Sequence, residues 1–185
     1  TEPQHNAMLG KISISADHLL GVISDILDIS KIEAGKMNLS ITDFCFTQML
    51  DNVISMIISE IRNKHLEFVV EQDELPEVLI GDSTLLVQGL LNYLSNALKF
   101  TEHGKITLRI IKQETFATNL LVRFEVRDTG IGIPAERLTQ LFSAFEQGDT
   151  GTARRYGGTG LGLVITRNLA RLMGGDAGAQ NIPGG

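Results

Sequence analysis

Apolar positions at the start of the chain fall on a strict seam: Leu9, Ile12, Ala16, Leu19, Ile23, Ile26 and Ser30 are separated by three and four residues in alternation. That is heptad spacing, and it predicts one long helix of a coiled coil or helical bundle. Leu20 and Leu27 widen the stripe toward that of a four-helix bundle. Gly35, in Glu33-Ala34-Gly35-Lys36, is the stop signal. Such a stripe suits a surface helix folded onto its own domain. A strict seam without a partner helix in the sequence favours pairing with something outside it.

From residue 40 onward the pattern changes. Phe46, Leu50, Val53, Ile57 and Ile61 mark a second helix, and Leu66–Val70 reads as a strand. A helix with an acidic cap starts near Gly81-Asp82-Ser83 and runs to Phe100. Ile106–Ile111 and Leu120–Val126 form a strand pair, followed by a short helix over Pro134–Leu141, a polar glycine-rich loop, and a last helix from Leu161 to Met173. Strands and helices mix without regular βαβ alternation, so residues 40–185 are expected to form one α+β domain with an open sheet covered by helices on one face.

Composition narrows the classes. With 43% apolar and 21% charged residues, the 185-residue chain is neither disordered nor fibrous. A net charge of −6, with no basic cluster longer than Arg154-Arg155, argues against nucleic acid as the main partner. The single cysteine, Cys45, excludes an internal disulfide and a cysteine-based zinc site. No apolar run approaches the roughly 20 residues that span a bilayer. Glycine is uneven: 13 of the 19 lie from Asp128 onward, so that region needs unusual backbone freedom.

Three segments carry chemistry. On the helix ending at Phe100, a rotation of about 100° per residue puts Asn92, Asn96 and Lys99 within roughly 60° of one another, opposite Leu90, Leu94 and Ala97. An amide oxygen is a hard neutral ligand suited to Mg²⁺, and a neighbouring ammonium suits a phosphate. The same face also reads as an ordinary solvated one. Asp128-Thr129-Gly130-Ile131-Gly132-Ile133-Pro134 leaves a strand. It is a plain turn, or else a fixed carboxylate accepting from an exocyclic amine, with glycines admitting a flat ring and isoleucines walling it. Gly157-Gly158-Thr159-Gly160-Leu161-Gly162-Leu163 opens a helix and exposes N–H groups suited to anions. It lacks the Gly-Lys-Ser/Thr ending of a Walker loop, and no strand immediately precedes it. The polar stretch Glu146–Tyr156 before it, with Arg154 and Arg155, reads as a lid with cationic groups, and Phe142 and Phe145 as its apolar anchors. Each signal is modest alone. In this order they supply the parts of a Mg-nucleotide site.

Asn92–Thr101, Asp128–Pro134, Phe142–Phe145 and Gly157–Leu163 resemble the N box, first glycine box, F box and second glycine box of sensor histidine kinases. Ile29–Lys36 resembles the end of the second dimerisation helix that precedes the catalytic domain in that family. The resemblance covers essentially the whole chain and divides it into a dimerisation helix over 1–39 and an ATP-binding catalytic domain over 40–185. It implies a Bergerat-type two-layer α/β sandwich, ATP with Mg²⁺, and a homodimer through a helical bundle. It also implies a cytoplasmic catalytic portion and phosphoryl relay from ATP through a histidine to an aspartate on a response regulator receiver domain. By that resemblance Asn96 is the Mg²⁺ ligand and Asn92 its companion, with Lys99 facing the phosphates and Phe100 near the adenine. Asp128 accepts from the adenine amine, and Gly130, Gly132 and Ile133 shape the pocket. Gly158, Thr159, Gly160, Leu161 and Gly162 contact the phosphates, and Arg154 and Arg155 are lid contacts.

The chain departs from that family in one respect. His5, His18, His65 and His103 are followed by Asn6, Leu19, Leu66 and Gly104, so none matches the acceptor box of a histidine followed by an acidic residue. The helix bearing that box is expected before Thr1, any membrane attachment of the parent protein outside this chain, and a final strand after Gly185. Phosphoryl transfer needs an in-line acceptor, so this chain is expected to bind Mg-ATP or Mg-ADP without phosphorylating itself. Two other readings stand beside the kinase. ATP-hydrolysing relatives on the same fold place a glutamate base where Asn92 stands, and an amide cannot take a proton at neutral pH. A nucleotide-binding scaffold without catalysis would not need Asn92, Asn96 and Lys99 together.

Overall fold

The computed structural model describes residues 2–117, 119–138, 140–142 and 160–182. Helix α1, Glu2–Glu33, follows the heptad seam and ends where expected. Gly35 takes φ +62°, with Gly35 N bonded to Ile32 O and Lys36 N to Lys31 O, the paired bonds of a left-handed helix stop. Along the seam Leu19, Ile23 and Ile26 are exposed, as are Leu20 and Leu27, whereas Ile29 is buried. No described helix is long and apolar enough to cross a membrane.

The rest of the chain forms a helix layer against strands. Helix α2 (Phe46–Asn63) buries Phe46, Leu50, Val53, Ile57 and Ile61 at helical spacing. Helix α3 (Ser83–Phe100) buries Leu90, Leu94, Ala97 and Leu98. Strands β2 (Glu67–Gln72), β4 (Lys105–Thr115) and β5 (Leu120–Asp128) form a mixed sheet in the order β2-β4-β5. Strand β2 runs parallel to β4, with Phe68 opposite Ile106, and β5 runs antiparallel, placing Asp128 opposite Ile106. Ile106, Leu108 and Ile110 point inward and close one core with α2 and α3. Arg109, Glu71, Arg123, Glu125 and Arg127 form a ladder of ion pairs on the alternate positions. The expected α+β sandwich, with helices on one face of a mixed sheet, is therefore present.

Two strands escape the sequence pattern. Strands β1 (Thr42–Cys45) and β3 (Val78–Gly81) pair antiparallel as a separate two-stranded sheet. Four residues are too few for alternation to declare a strand. Helix α4 is described over Ala135–Leu138, within the expected 134–141 span, with Arg137 N bonded to Pro134 O and Leu141 N to Arg137 O.

A second core joins the last helix, α5 (Gly162–Leu172), to the rest. Leu161, Ile165 and Leu169 pack with Leu85 of α3 and Ile29 of α1, and Ile32, Met37 and Leu39 lie against them. Gln88 Nε2 of α3 donates to Asp28 Oδ2 of α1 at 2.9 Å. Helix α3 thus belongs to both cores, and both of its ends are fixed. At its start Asp82, 7% exposed, accepts from Leu85 N at 3.1 Å through one oxygen and from Ser40 N at 2.8 Å through the other. At its end Lys64 Nζ donates to Leu98 O and Thr101 O, which suits the negative end of the helix dipole.

Two predictions follow from these fixings. Removing the Asp82 cap strands two main-chain N–H groups, so Asp82→Ala is expected to cost about 1–3 kcal/mol of stability in urea unfolding. Asp82→Asn, which keeps one oxygen, is expected to cost less; equal midpoints for all three proteins would contradict the role. Tyr93 of α3 is half-buried, and burial, then the nearby Asp176 carboxylate, push its phenol up to about 12 from a usual 10. A raised folded pKa favours the neutral form, so its contribution is complete below pH 10 and lost as pH rises from 10 through 12. Tyr93→Phe is expected to flatten the fall of thermal midpoint over that window relative to the parent, and parallel curves would contradict it.

Candidate functional site

The polar face of α3 opens on a cleft bounded by the turn after β5 and by the start of α5. Asn92, Asn96 and Lys99 are half-buried there, above Leu90, Leu94 and Ala97 in the core. Asn92 Nδ2 donates to Thr166 Oγ1 at 2.6 Å, and that hydroxyl donates to Gly162 O at 3.0 Å. Asn96 Nδ2 donates to Asn92 Oδ1 at 3.4 Å. The two amides are therefore oriented in series from α5, and the bond to Asn92 does not use Asn96 Oδ1. Lys99 Nζ stands 4.9 Å above the Phe100 ring. Burial holds its ammonium below the usual lysine range, which a bound anion would reverse.

Helix α5 meets this face through a glycine whose replacement would displace the Asn92 amide or the helix start. A Cβ on Gly162 would lie 2.3 Å from Asn92 Oδ1 and 2.9 Å from its Cγ. Gly160, at φ +70°, turns the chain into the helix, whose cap position is held by Leu161, a side chain with no polar atom. That leaves a helix N-terminus beside two amides, an arrangement suited to an anion. Leu161, expected as a phosphate contact, stands at the cap position of α5. Its side chain is 1% exposed and sits in the second core, so only its main chain can serve the cleft. Arg154, Arg155, Gly158, Thr159 and Phe145 lie outside the described residues, and so does the stretch expected as a lid. Phe142 is described, and its ring takes the Arg167 guanidinium 5.2 Å from its centre.

At the other end of the cleft, Asp128 closes β5. Its Oδ1 accepts from Gly130 N at 2.9 Å, which sets the carboxylate against its own turn. Gly130 is enforced by close approach, since a Cβ there would lie 2.4 Å from Phe100 O. The turn is thus held to the end of α3, with Ile131 N donating to Phe100 O at 3.4 Å. Thr129 Oγ1 accepts from Lys105 N at 2.9 Å and ties the turn to β4. Gly132 has φ +67°. Ile131 is 66% exposed and forms little of a wall, whereas Ile133 is half-buried.

The structure therefore brings Asn92, Asn96, Lys99, Phe100, Asp128, Gly130, Gly132, Ile133, Gly160 and Gly162 around one cleft. Sequence reasoning missed Thr166, which orients Asn92. A small hydroxyl beside Ile165 on a core-facing helix side, four residues after Gly162, was the available signal. It also missed Thr129 as a lock on the turn. Among the described residues no three His, Cys, Asp or Glu side chains gather as a metal cluster.

Known proteins share this arrangement. The chain is 46% identical over 169 residues to hybrid signal transduction histidine kinase B of Dictyostelium discoideum, covering 91% of the chain and 9% of that protein. It is 41% identical over 187 residues to the sensory/regulatory protein RpfC of Xanthomonas campestris pv. campestris, covering 100% of the chain and 26% of the relative. The chain thus spans 26% or less of these relatives' length. Among solved structures, full-length ShkA in complex with AMPPNP matches with a TM-score of 0.75 at 30% identity, over 92% of this chain and 34% of that one. A catalytic domain of histidine kinase ThkA matches at 0.59 and 29% identity, over 73% of this chain and 81% of that one. Residues 81–185, which hold Asn92, Asn96, Lys99, Asp128 and the glycines around them, match the family of histidine kinase-, DNA gyrase B- and HSP90-like ATPases, and the chain belongs to it.

Proposed function

We propose that this chain is the ATP-binding catalytic portion of a sensor histidine kinase, delivering the γ-phosphate of ATP to a histidine for relay to a response regulator aspartate. The observation that carries this reading is the series Thr166, Asn92, Asn96 set beside the glycine start of α5. It presents amides, not a carboxylate, to a triphosphate. A hydrolase needs a base for water at that position, and Asn92 cannot accept a proton at neutral pH. The relatives named as histidine kinases and the ShkA structure with AMPPNP support the same branch.

In this reading the adenine enters between Phe100 and Ile133, with its amine toward Asp128. Gly130 and Gly132 let the main chain come close to the ring. The triphosphate runs along α3 toward the first turn of α5. Lys99 neutralises phosphate charge, and its desolvated ammonium regains its proton affinity beside that charge. The amides fit Mg²⁺, since Asn96 Oδ1 is a hard oxygen and Asn92, fixed by Thr166, stands next to it. When bound, that ion supplies charge neutralisation on the phosphoryl oxygens. The residues themselves bind, orient and hold charge, which is most of what phosphoryl transfer asks of a protein.

The partners follow from the same reading. The exposed stripe of Leu19, Ile23, Ile26 and Leu27 on α1 is the expected surface of a homodimeric helical bundle. A receiver domain is the expected acceptor of the phosphoryl group, and the catalytic portion is expected in the cytoplasm with any membrane anchor in other segments. Nucleic acid has no place in this scheme.

The purine assignment is tested at Asp128. Truncating it leaves the adenine amine without its acceptor, so Asp128→Ala is expected to weaken ADP binding by about 1–3 kcal/mol in calorimetric titration. Asp128→Asn, which offers an oxygen without the charge, should fall between. Unchanged ADP affinity in Asp128→Ala would remove the carboxylate from base recognition.

A further inference from the structure

The segment after α5, residues 174–182, has no regular secondary structure, yet three of its residues are tied to the walls of the cleft. Asp176 receives the Arg167 guanidinium, Nε to Oδ1 at 3.1 Å and Nη2 to Oδ2 at 3.4 Å, with Arg171 Nε 3.3 Å from the same Oδ1. These cations hold its carboxyl well below the usual range, at about 2. Gly178 O accepts from the Tyr93 hydroxyl at 3.1 Å, which fixes the segment to the middle of α3. Asn181 then reaches the turn that follows Asp128. Its Oδ1 accepts from Ile133 N at 3.0 Å and its Nδ2 donates to Ile133 O.

One amide side chain thus engages both main-chain groups of a single residue, as a neighbouring strand does in an antiparallel pair. It does so directly after Gly132, where φ is +67° and the turn is conformationally free. Gly130 is already fixed against Phe100 O. Without Asn181, the far half of the turn would have no such tie. We propose that Asn181 is a positioning residue of the purine pocket, holding Ile133 at the depth a flat base requires, with Tyr93 anchoring the segment that carries it. This rests on the purine assignment above and extends it to a residue that acts through Ile133.

Titration of the chain with ADP and Mg²⁺ tests the proposal, together with amide exchange at Ile133 and the thermal midpoint without nucleotide. Asn181→Ala is expected to weaken ADP roughly tenfold, the loss of about one net hydrogen bond. The Ile133 amide should exchange faster before any nucleotide is added, while the thermal midpoint stays unchanged. Asn181→Asp, which keeps the acceptor for Ile133 N, should recover part of the affinity, and Tyr93→Phe should show a smaller loss of the same kind. Unchanged ADP affinity or unchanged Ile133 exchange in Asn181→Ala overturns the proposal. So does an affinity loss that Asn181→Asp does not relieve, which would mark general disruption. Failure of the unmutated chain to bind ADP would instead strike the purine assignment.

Discussion

Asn92 and the first turn of α5 meet at a distance that leaves no room for one methyl group, and the site is organised around that meeting. The amide of Asn92 is held by Thr166, and the carbonyl of Gly162 is held by the same hydroxyl. Two helices distant in sequence are thereby locked with their polar faces toward one cleft. Asn96 takes its orientation from Asn92 in turn. A Cβ at Gly162 would meet the Asn92 amide, so either that amide or the helix start would have to move. Buried apolar area cannot fix such a geometry, because it is indifferent to direction. Directed hydrogen bonds and one missing Cβ can.

The two hydrophobic cores make that contact possible. One lies between α2, α3 and the inward residues of β4, and it fixes α3 to the sheet. The other seats α5 through Leu161, Ile165 and Leu169 and takes in Ile29 near the end of α1. Helix α3 contributes to both, so its polar face is positioned from two sides. The inclusion of Ile29, with the Gln88 to Asp28 bond, means the end of the long helix bears on the domain that carries the cleft. That contact is apolar packing assisted by one side-chain hydrogen bond.

Much of this could be read in the sequence, for identifiable reasons. The heptad seam, the Asp82 cap, the Gly35 stop and the 100° rotation of α3 are local rules, and each was honoured. The boxes were readable because they combine spacing with residue chemistry, and the structure gathers their described members at one cleft. Strands β1 and β3 were not readable, since four residues carry too little pattern and their pairing spans more than thirty positions. Leu161 sits inside a glycine motif, and its buried side chain anchors that motif in the second core, a tie that no local pattern announces. Thr166 and Asn181 act through bonds to partners 74 and 48 residues away, and no local periodicity announces such ties.

The central claim is that a purine carboxylate acceptor and an amide-held divalent ion share one cleft. Calorimetric titration of the unmodified chain with ADP, with Mg²⁺ present and then with EDTA, tests it most directly. The account predicts saturable binding at one site per chain that weakens when the ion is withdrawn. No heat and no thermal shift in either condition would contradict it.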